Sequence, residues 1–405
     1  MKIPPFNNPL AQWNRNFALV VVSVCAVGFF LGVHFSLFNN FVVARLDIEP
    51  YNLGYVEALR EVPGFLNALF IALMIRLAPS LVAGVALVIM GVGIMAYSQL
   101  VSVFSLALYS VIWSIGFHGW MPLETSMALK FSPPGNKGKW LGQLSSASGL
   151  SCLFSIALCW VLLPYLDYEG LYILAGFVVV LGGVALFGVE RYKSPEKEKG
   201  FLLKRRYRYY YGLQFLQGCR RQMFLTFAIF ALVKVHGMPV ETTMMLILVN
   251  QVLTTLAAPT MGRLVDRYGE RFMLSLSYIG LAFIFSGYAV VHYLPLLYLL
   301  YCADNLIFFG DIALTTYVHK IAPEEDLKPT LSMGVTMNHV AAVIAPVAGG
   351  LAWHFFGYEV IFFSGAALAV ISLLVSQGIN PEGILAEAEE EHREVLQKPA
   401  SEPAA

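Results

Sequence analysis

The sequence predicts an all-α integral membrane protein of twelve transmembrane helices in two six-helix halves, with both termini on the cytoplasmic side. Three observations carry that prediction. The 405 residues are 58% hydrophobic and 13% charged, against about 45–50% and about 25% in an average soluble domain, and mean hydropathy is +0.68. The apolar residues fall in repeated blocks of roughly the 20 residues that a helix needs to cross a bilayer core. Lys and Arg gather in one set of loops: with the N-terminus inside, of the 26 only Arg45 and Lys234 fall outside and only Arg60, Arg220 and Arg221 fall within spans, which is the bias expected of cytoplasmic loops.

Blocks bounded by charge, Pro or Gly clusters place spans at 16–40, 51–76, 80–99, 102–128, 140–164 and 169–189. Six more follow at 211–234, 240–262, 272–292, 295–318, 330–353 and 358–378. The first apolar run starts after Arg15 and lacks a small-residue cleavage site, so it reads as a retained span. The chain therefore divides into a bundle over 1–189, a cytoplasmic linker over 190–210, a second bundle over 211–380 and a cytoplasmic tail over 381–405. The stretch FLLKRRYRYYY within 201–211 mixes Lys204, Arg205, Arg206 and Arg208 with aromatics, a pattern suited to the headgroup level. Plain positive-inside anchoring explains the same residues and is favoured over a specific lipid site. The tail, with EAEEEHRE, reads as a short solvated helix and a disordered end.

The two bundles carry a faint internal repeat. A shift of 190 residues lays LKFSPPGNKGKWLGQL (129–144) on HKIAPEEDLKPTLSMG (319–334), matching Lys130 to Lys320, Pro133 to Pro323 and Leu141 to Leu331. Both segments fall in the loop between the fourth and fifth span of their half. Parallel six-span repeats of this kind are one of the internal symmetries of transporters.

Between the eighth and ninth spans stands GRLVDRYGER, 262–271. It resembles the signature loop of the major facilitator superfamily at Gly262, Asp266, Arg267, Gly269 and Arg271. Glycines permit a tight turn between antiparallel helices, and the charges can reach helix ends, carboxylates or headgroups. The resemblance implies an alternating-access secondary transporter, in which Asp266 contacts the cytoplasmic end of the eleventh helix and holds a gate shut. The equivalent loop of the first half, MIRLAPSLVAG, keeps only Arg76 and no Asp, so any such lock is one-sided. APVAGG (345–350) looks like the Gly-Pro motif that antiporters of the family carry in the fifth span. The fifth span here lacks the proline, which argues against a drug and proton antiporter.

Ionisable groups inside spans are costly and point to function. In the second span, Glu57, Arg60 and Glu61 lie at i, i+3 and i+4, on one helical face. Glu61 falls ~15 Å from the start of that span, near midplane. An Arg–Glu pair satisfying itself between packed helices explains the same residues, and Pro63 with Gly64 suggests a kink. In the tenth span, Asp304 and Asp311 stand seven residues apart, two turns along one face, with no Lys or Arg in the same span. The resemblance places that helix beside the cavity, as proton or cation sites. In the seventh span Arg220 and Arg221 point about 100° apart, so one at most faces the cavity; binding an anionic group and snorkelling to headgroups both fit. Asn338 with His339, and Asn250 with Gln251, fall near midplane as ligands or interhelical hydrogen-bond partners. His34, His118 and Glu124 are weaker candidates.

The substrate class stays divided at this point between a small organic anion, favoured by the arginines, and a metal or organic cation, favoured by the acids with His339; coupling to protons is expected. No HExxH, GxSxG or GxxxxGK[ST] motif is present, so an enzyme is not expected. A transporter fold reused as a membrane sensor or assembly factor is the remaining alternative. The implied partners are the lipid bilayer and a small-molecule or ion substrate, with no cofactor and no resident metal, and a monomer is expected. A balance of 26 basic and 26 acidic residues gives no reason to expect nucleic acid. The five cysteines lie within apolar runs without a CxxC pair, as free thiols. The bacterial inner membrane is the expected location.

Overall fold

The computed structural model describes residues 13–66, 77–133, 135–193, 203–307 and 309–379. Arg76 and the C-terminal part of the second span, the middle of the linker and the tail from 380 lie outside the described residues. The helices fall on the expected spans: α1 Arg15–Leu46, α2 Pro50–Phe65, α3 Pro79–Met95 and α4 Val103–Phe131. The helical run Lys137–Leu186 is broken at Asp167 (φ 53°, ψ −173°), three residues past Pro164, into α5 (137–166) and α6 (168–186). Next come α7 Arg208–Lys234, α8 Val240–Tyr268 and α9 Glu270–Val290. The tenth span is two pieces, α10a Leu294–Leu306 and α10b Phe309–Ile321, and α11 Glu324–Phe356 and α12 Glu359–Ser376 complete the chain. Among the described residues, nine helical runs are long and apolar enough to cross a membrane.

Helix ends follow local chemistry. Asn14 caps α1 by accepting the Phe17 amide at 2.8 Å. Ser102 and Ser105 form a reciprocal capping box on α4. Gly269 (φ 78°) makes the one-residue turn between α8 and α9.

The chain forms two compact units. The first comprises Met1–Lys197, Gln222–Val252 and Ala342–Tyr358; the second comprises Glu198–Arg221, Leu253–Ala341 and Glu359–Ala405. In lipid, helices gain little from burying apolar area against each other, so close packing over small residues holds them. The first unit does this repeatedly. A Cβ on Gly28 would meet the Ser148 carbonyl of α5 at 2.5 Å, and one on Gly91 the Gly176 carbonyl of α6 at 2.5 Å.

The same unit gathers the ends of α1, α2, α7 and α11 that the charge bias places outside. Gly54 faces the Pro346 carbonyl, and a Cβ on Gly350 would stand 2.6 Å from the Pro50 carbonyl. The APVAGG segment here serves close helix packing. Lys234 pairs with Asp47 at 2.5 Å, and Asn40 donates to the Met238 carbonyl at 2.9 Å. The second unit centres on a tyrosine-rich core, with Tyr207, Tyr210, Tyr278 and Tyr317 against Met273, Leu274 and Leu314.

Candidate functional site

In the first unit, the spacing of Glu57, Arg60 and Glu61 along α2 brings all three side chains together. Arg60 lies 2.6 Å from Glu57 and 3.2 Å from Glu61. Glu57 is only 4% exposed. Taking three charges out of water is costly, and mutual pairing offsets that cost only with good geometry. α4 supplies the support. The Arg60 guanidinium stands 5.7 Å from the Trp113 ring centre, a cation–π distance. Trp113 donates its indole N–H to the Tyr97 hydroxyl at 3.0 Å, which shares a 2.7 Å hydrogen bond with Ser110. Ser114 donates to the Arg60 carbonyl and lies 3.0 Å from His118 Nδ1. His34 is buried 5.4 Å from the Trp113 ring. With every group ionised, two carboxylates and one guanidinium leave this cluster one negative charge in excess.

Sequence reasoning missed Trp113, Tyr97 and Ser110. Ser110 and Trp113 are three apart on α4, which puts them on one face, but nothing in spacing alone aims that face at Arg60.

In the second unit, Arg220 of α7 pairs with Asp304 of α10a at 3.1 Å, both side chains about nine-tenths buried. The Arg220 guanidinium lies 5.6 Å from the Phe285 ring centre on α9. Arg221 stands 3.7 Å from Asp311 of α10b, and here the side chains are 53% and 44% exposed. Gln217 donates its amide to Asp311 Oδ1, and the Tyr278 hydroxyl donates to Gln217 Oε1 at 3.2 Å. This arrangement corrects two expectations. The acids of the tenth span do have arginine partners, supplied by α7 and not by their own helix. Nor do they share one uninterrupted helical face, because α10 breaks between them and each meets a different arginine. Gln217 and Tyr278 were not singled out by sequence, since neutral polar residues near a helix end carry no distinctive signal.

Asn338 lies where α7 and α11 approach closely: a Cβ on Gly218 would stand 3.2 Å from its side-chain oxygen. His339, Asn250 and Gln251 are half-buried, as is Glu124.

The signature loop is built as a tight turn. Gly262 lies within α8 and Gly269 makes the turn. Asp266 is exposed and, among the described residues, forms no ion pair. Arg267 stacks over Tyr268 at 5.3 Å, and Arg271 donates to Gln377 at 3.3 Å. The buried member is Glu270, 5% exposed and 2.7 Å from Lys320 at the end of α10b. Glu270 stands inside the motif, and nothing local in the sequence distinguishes it from the exposed charges beside it. Lys130, the repeat counterpart of Lys320, lies over the Tyr192 ring at 5.6 Å. At the linker's end, Lys204 (2.7 Å) and Tyr207 (2.8 Å) both donate to Asp326. Partial burial raises that carboxyl, but these two donors outweigh it and hold Asp326 below its ordinary range.

The family model of the major facilitator superfamily matches residues 210–401. The fold is similar to the nucleoside transporter NupG, at TM-score 0.74 and 13% identity, covering 90% of this chain and 99% of that one. It is also similar to a bacterial homologue of the human lysosomal transporter Spinster in an inward-facing, occupied conformation, at TM-score 0.70 and 12% identity, covering 89% and 96%. No curated protein sequence matches the chain. The family match covers the second half of the sequence, and the structural matches extend the shared fold over about nine-tenths of the chain. The fold shared with these solved transporters is an all-α fold of membrane-spanning helices.

Proposed function

We propose that this protein is a secondary transporter of the major facilitator type that moves a small organic anion by alternating access, coupled to protons, with the two tasks on different clusters. The observation that carries this reading is a difference in charge balance. The α2 cluster holds Glu57 and Glu61 against the single cation Arg60, so one carboxylate is in excess and can carry a proton. The α7–α10 cluster is balanced, two arginines to two aspartates, and its outer pair is half exposed. Arg221 is the group that meets an anionic substrate, because a guanidinium presents a planar fork of donors matched to carboxylate or phosphate. Asp304 remains a coupling candidate while paired with Arg220, and Asn338 and His339 are further candidate ligands. Six-helix halves over 1–189 and 211–380 would move about the site, with Asp266 acting in the gate and residues 190–210 as the linker. A bacterial inner membrane and a monomeric state fit this reading.

The testing experiment is a thermal-shift panel on purified protein with lactate, benzoate, inorganic phosphate, tetraethylammonium and Zn²⁺ at pH 6 and pH 8. A ligand bound to the folded state raises apparent stability. Stabilisation by an organic anion that Arg221→Gln abolishes is the expected result. Stabilisation confined to the cations and unaffected by Arg221→Gln would overturn the anion reading.

A further inference from the structure

Within the second unit, Arg220 and Arg221 are neighbours in sequence yet are held differently. Arg220 sits at hydrogen-bond distance from Asp304, 3.1 Å, in a buried pair. Arg221 stands 3.7 Å from Asp311, beyond hydrogen-bond distance. The oxygen of Asp311 that Arg221 does not approach is engaged by the Gln217 amide. An amide can present either its oxygen or its nitrogen to a neighbour, and the choice follows the hydrogen-bond network. The ionised Asp311 carboxylate only accepts, so the NH₂ end of Gln217 is the one aimed at it, and the buried Tyr278 hydroxyl anchors the other end by donating to Gln217 Oε1 at 3.2 Å. Gly310, beside Asp311, packs closely on Ser277 of α9, where a Cβ would stand 3.0 Å from its Oγ.

We propose that Gln217, anchored by Tyr278, is a positioning residue that holds Asp311 back from Arg221, so that the Arg221 guanidinium stays electrically compensated but open to the carboxylate or phosphate of a substrate. The inference rests on the assignment of Arg221 as the anion-binding group. It explains why a 53% exposed arginine has an acid nearby without being closed by it. Arg220 and Asp304 form the adjoining buried pair, with Phe285 beside the guanidinium, and keep the α7–α10a spacing that this arrangement needs.

The test needs no substrate. Phenylglyoxal modifies guanidinium groups that a carboxylate does not engage, and its rate at Arg221 is read by peptide mass spectrometry on the full-length protein in detergent. Gln217→Leu releases Asp311 toward Arg221 and is expected to slow modification several-fold. Tyr278→Phe, which keeps the amide but removes the hydrogen bond that anchors it, slows it less. Asp311→Asn speeds it, and in that background Gln217→Leu has no further effect, as a double-mutant cycle requires of a residue acting through Asp311. An unchanged rate in both Gln217→Leu and Tyr278→Phe, or equal slowing with and without Asp311, would overturn the proposal. Failure of the anion-binding reading shows instead in the ligand panel, which this rate does not involve.

Discussion

The two units carry their intramembrane charges differently. In the first, one helix supplies all three charges, two acids flank one arginine, and Trp113 of α4, hydrogen-bonded to Tyr97 in the turn after α3, stacks against the arginine. In the second, α7 supplies both cations and the two pieces of α10 both acids, so the ion pairs tie helices together. An in-helix cluster can gain or lose a proton without separating any helices. A cross-helix pair cannot lose a partner without loosening the contact between its two helices. The difference argues for ion coupling in the first unit and for substrate binding plus architecture in the second.

The sharpest way to break this comparison is to remove one side of a buried pair. Arg220→Ala leaves Asp304 buried without its partner and is expected to cost about 3–5 kcal/mol, whereas Arg221→Ala, at a half-exposed pair, costs about 1 kcal/mol or less. Thermal unfolding of the purified variants measures both, and adding Asp304→Asn to Arg220→Ala recovers part of the loss. Equal effects of the two arginine variants would mean that the buried pair has no special structural role.

A smaller effect comes from the cytoplasmic end. Asp326 is held below its ordinary range by Lys204 and Tyr207, so its contribution to stability is present above the unfolded carboxylate value of about 3.9 and is lost as pH falls through the folded value. Asp326→Asn is therefore expected to cost about 1 kcal/mol at pH 7 and progressively less in acid. A loss independent of pH would remove the charge from the explanation.

The spans, their order and the α2 cluster were legible in the sequence because hydropathy and the i, i+3, i+4 rule are local. The break at Asp167 was legible too, from Pro164 and the polar residues between apolar blocks. What escaped was everything that depends on which helix faces which. Asp304 and Asp311 read as unpaired acids because their arginines lie 84 and 90 residues earlier on α7. Trp113 and Gln217 read as ordinary span residues for the same reason. The repeat matched Lys130 to Lys320, yet among the described residues Lys320 pairs with an acid, Glu270, whereas Lys130 lies over Tyr192, and the loop after α2 carries no acid in its sequence.

Proton movement in proteoliposomes tests the division of labour most directly. Wild type, Glu61→Gln and Arg221→Gln are reconstituted with an internal pH-sensitive dye, and the organic anion giving the largest thermal shift is added outside. The expected results are anion-dependent alkalinisation or acidification of the lumen in wild type, anion binding without proton movement in Glu61→Gln, and neither in Arg221→Gln. Undiminished proton movement in Glu61→Gln, with the fold intact, would contradict the assignment of ion coupling to the α2 cluster.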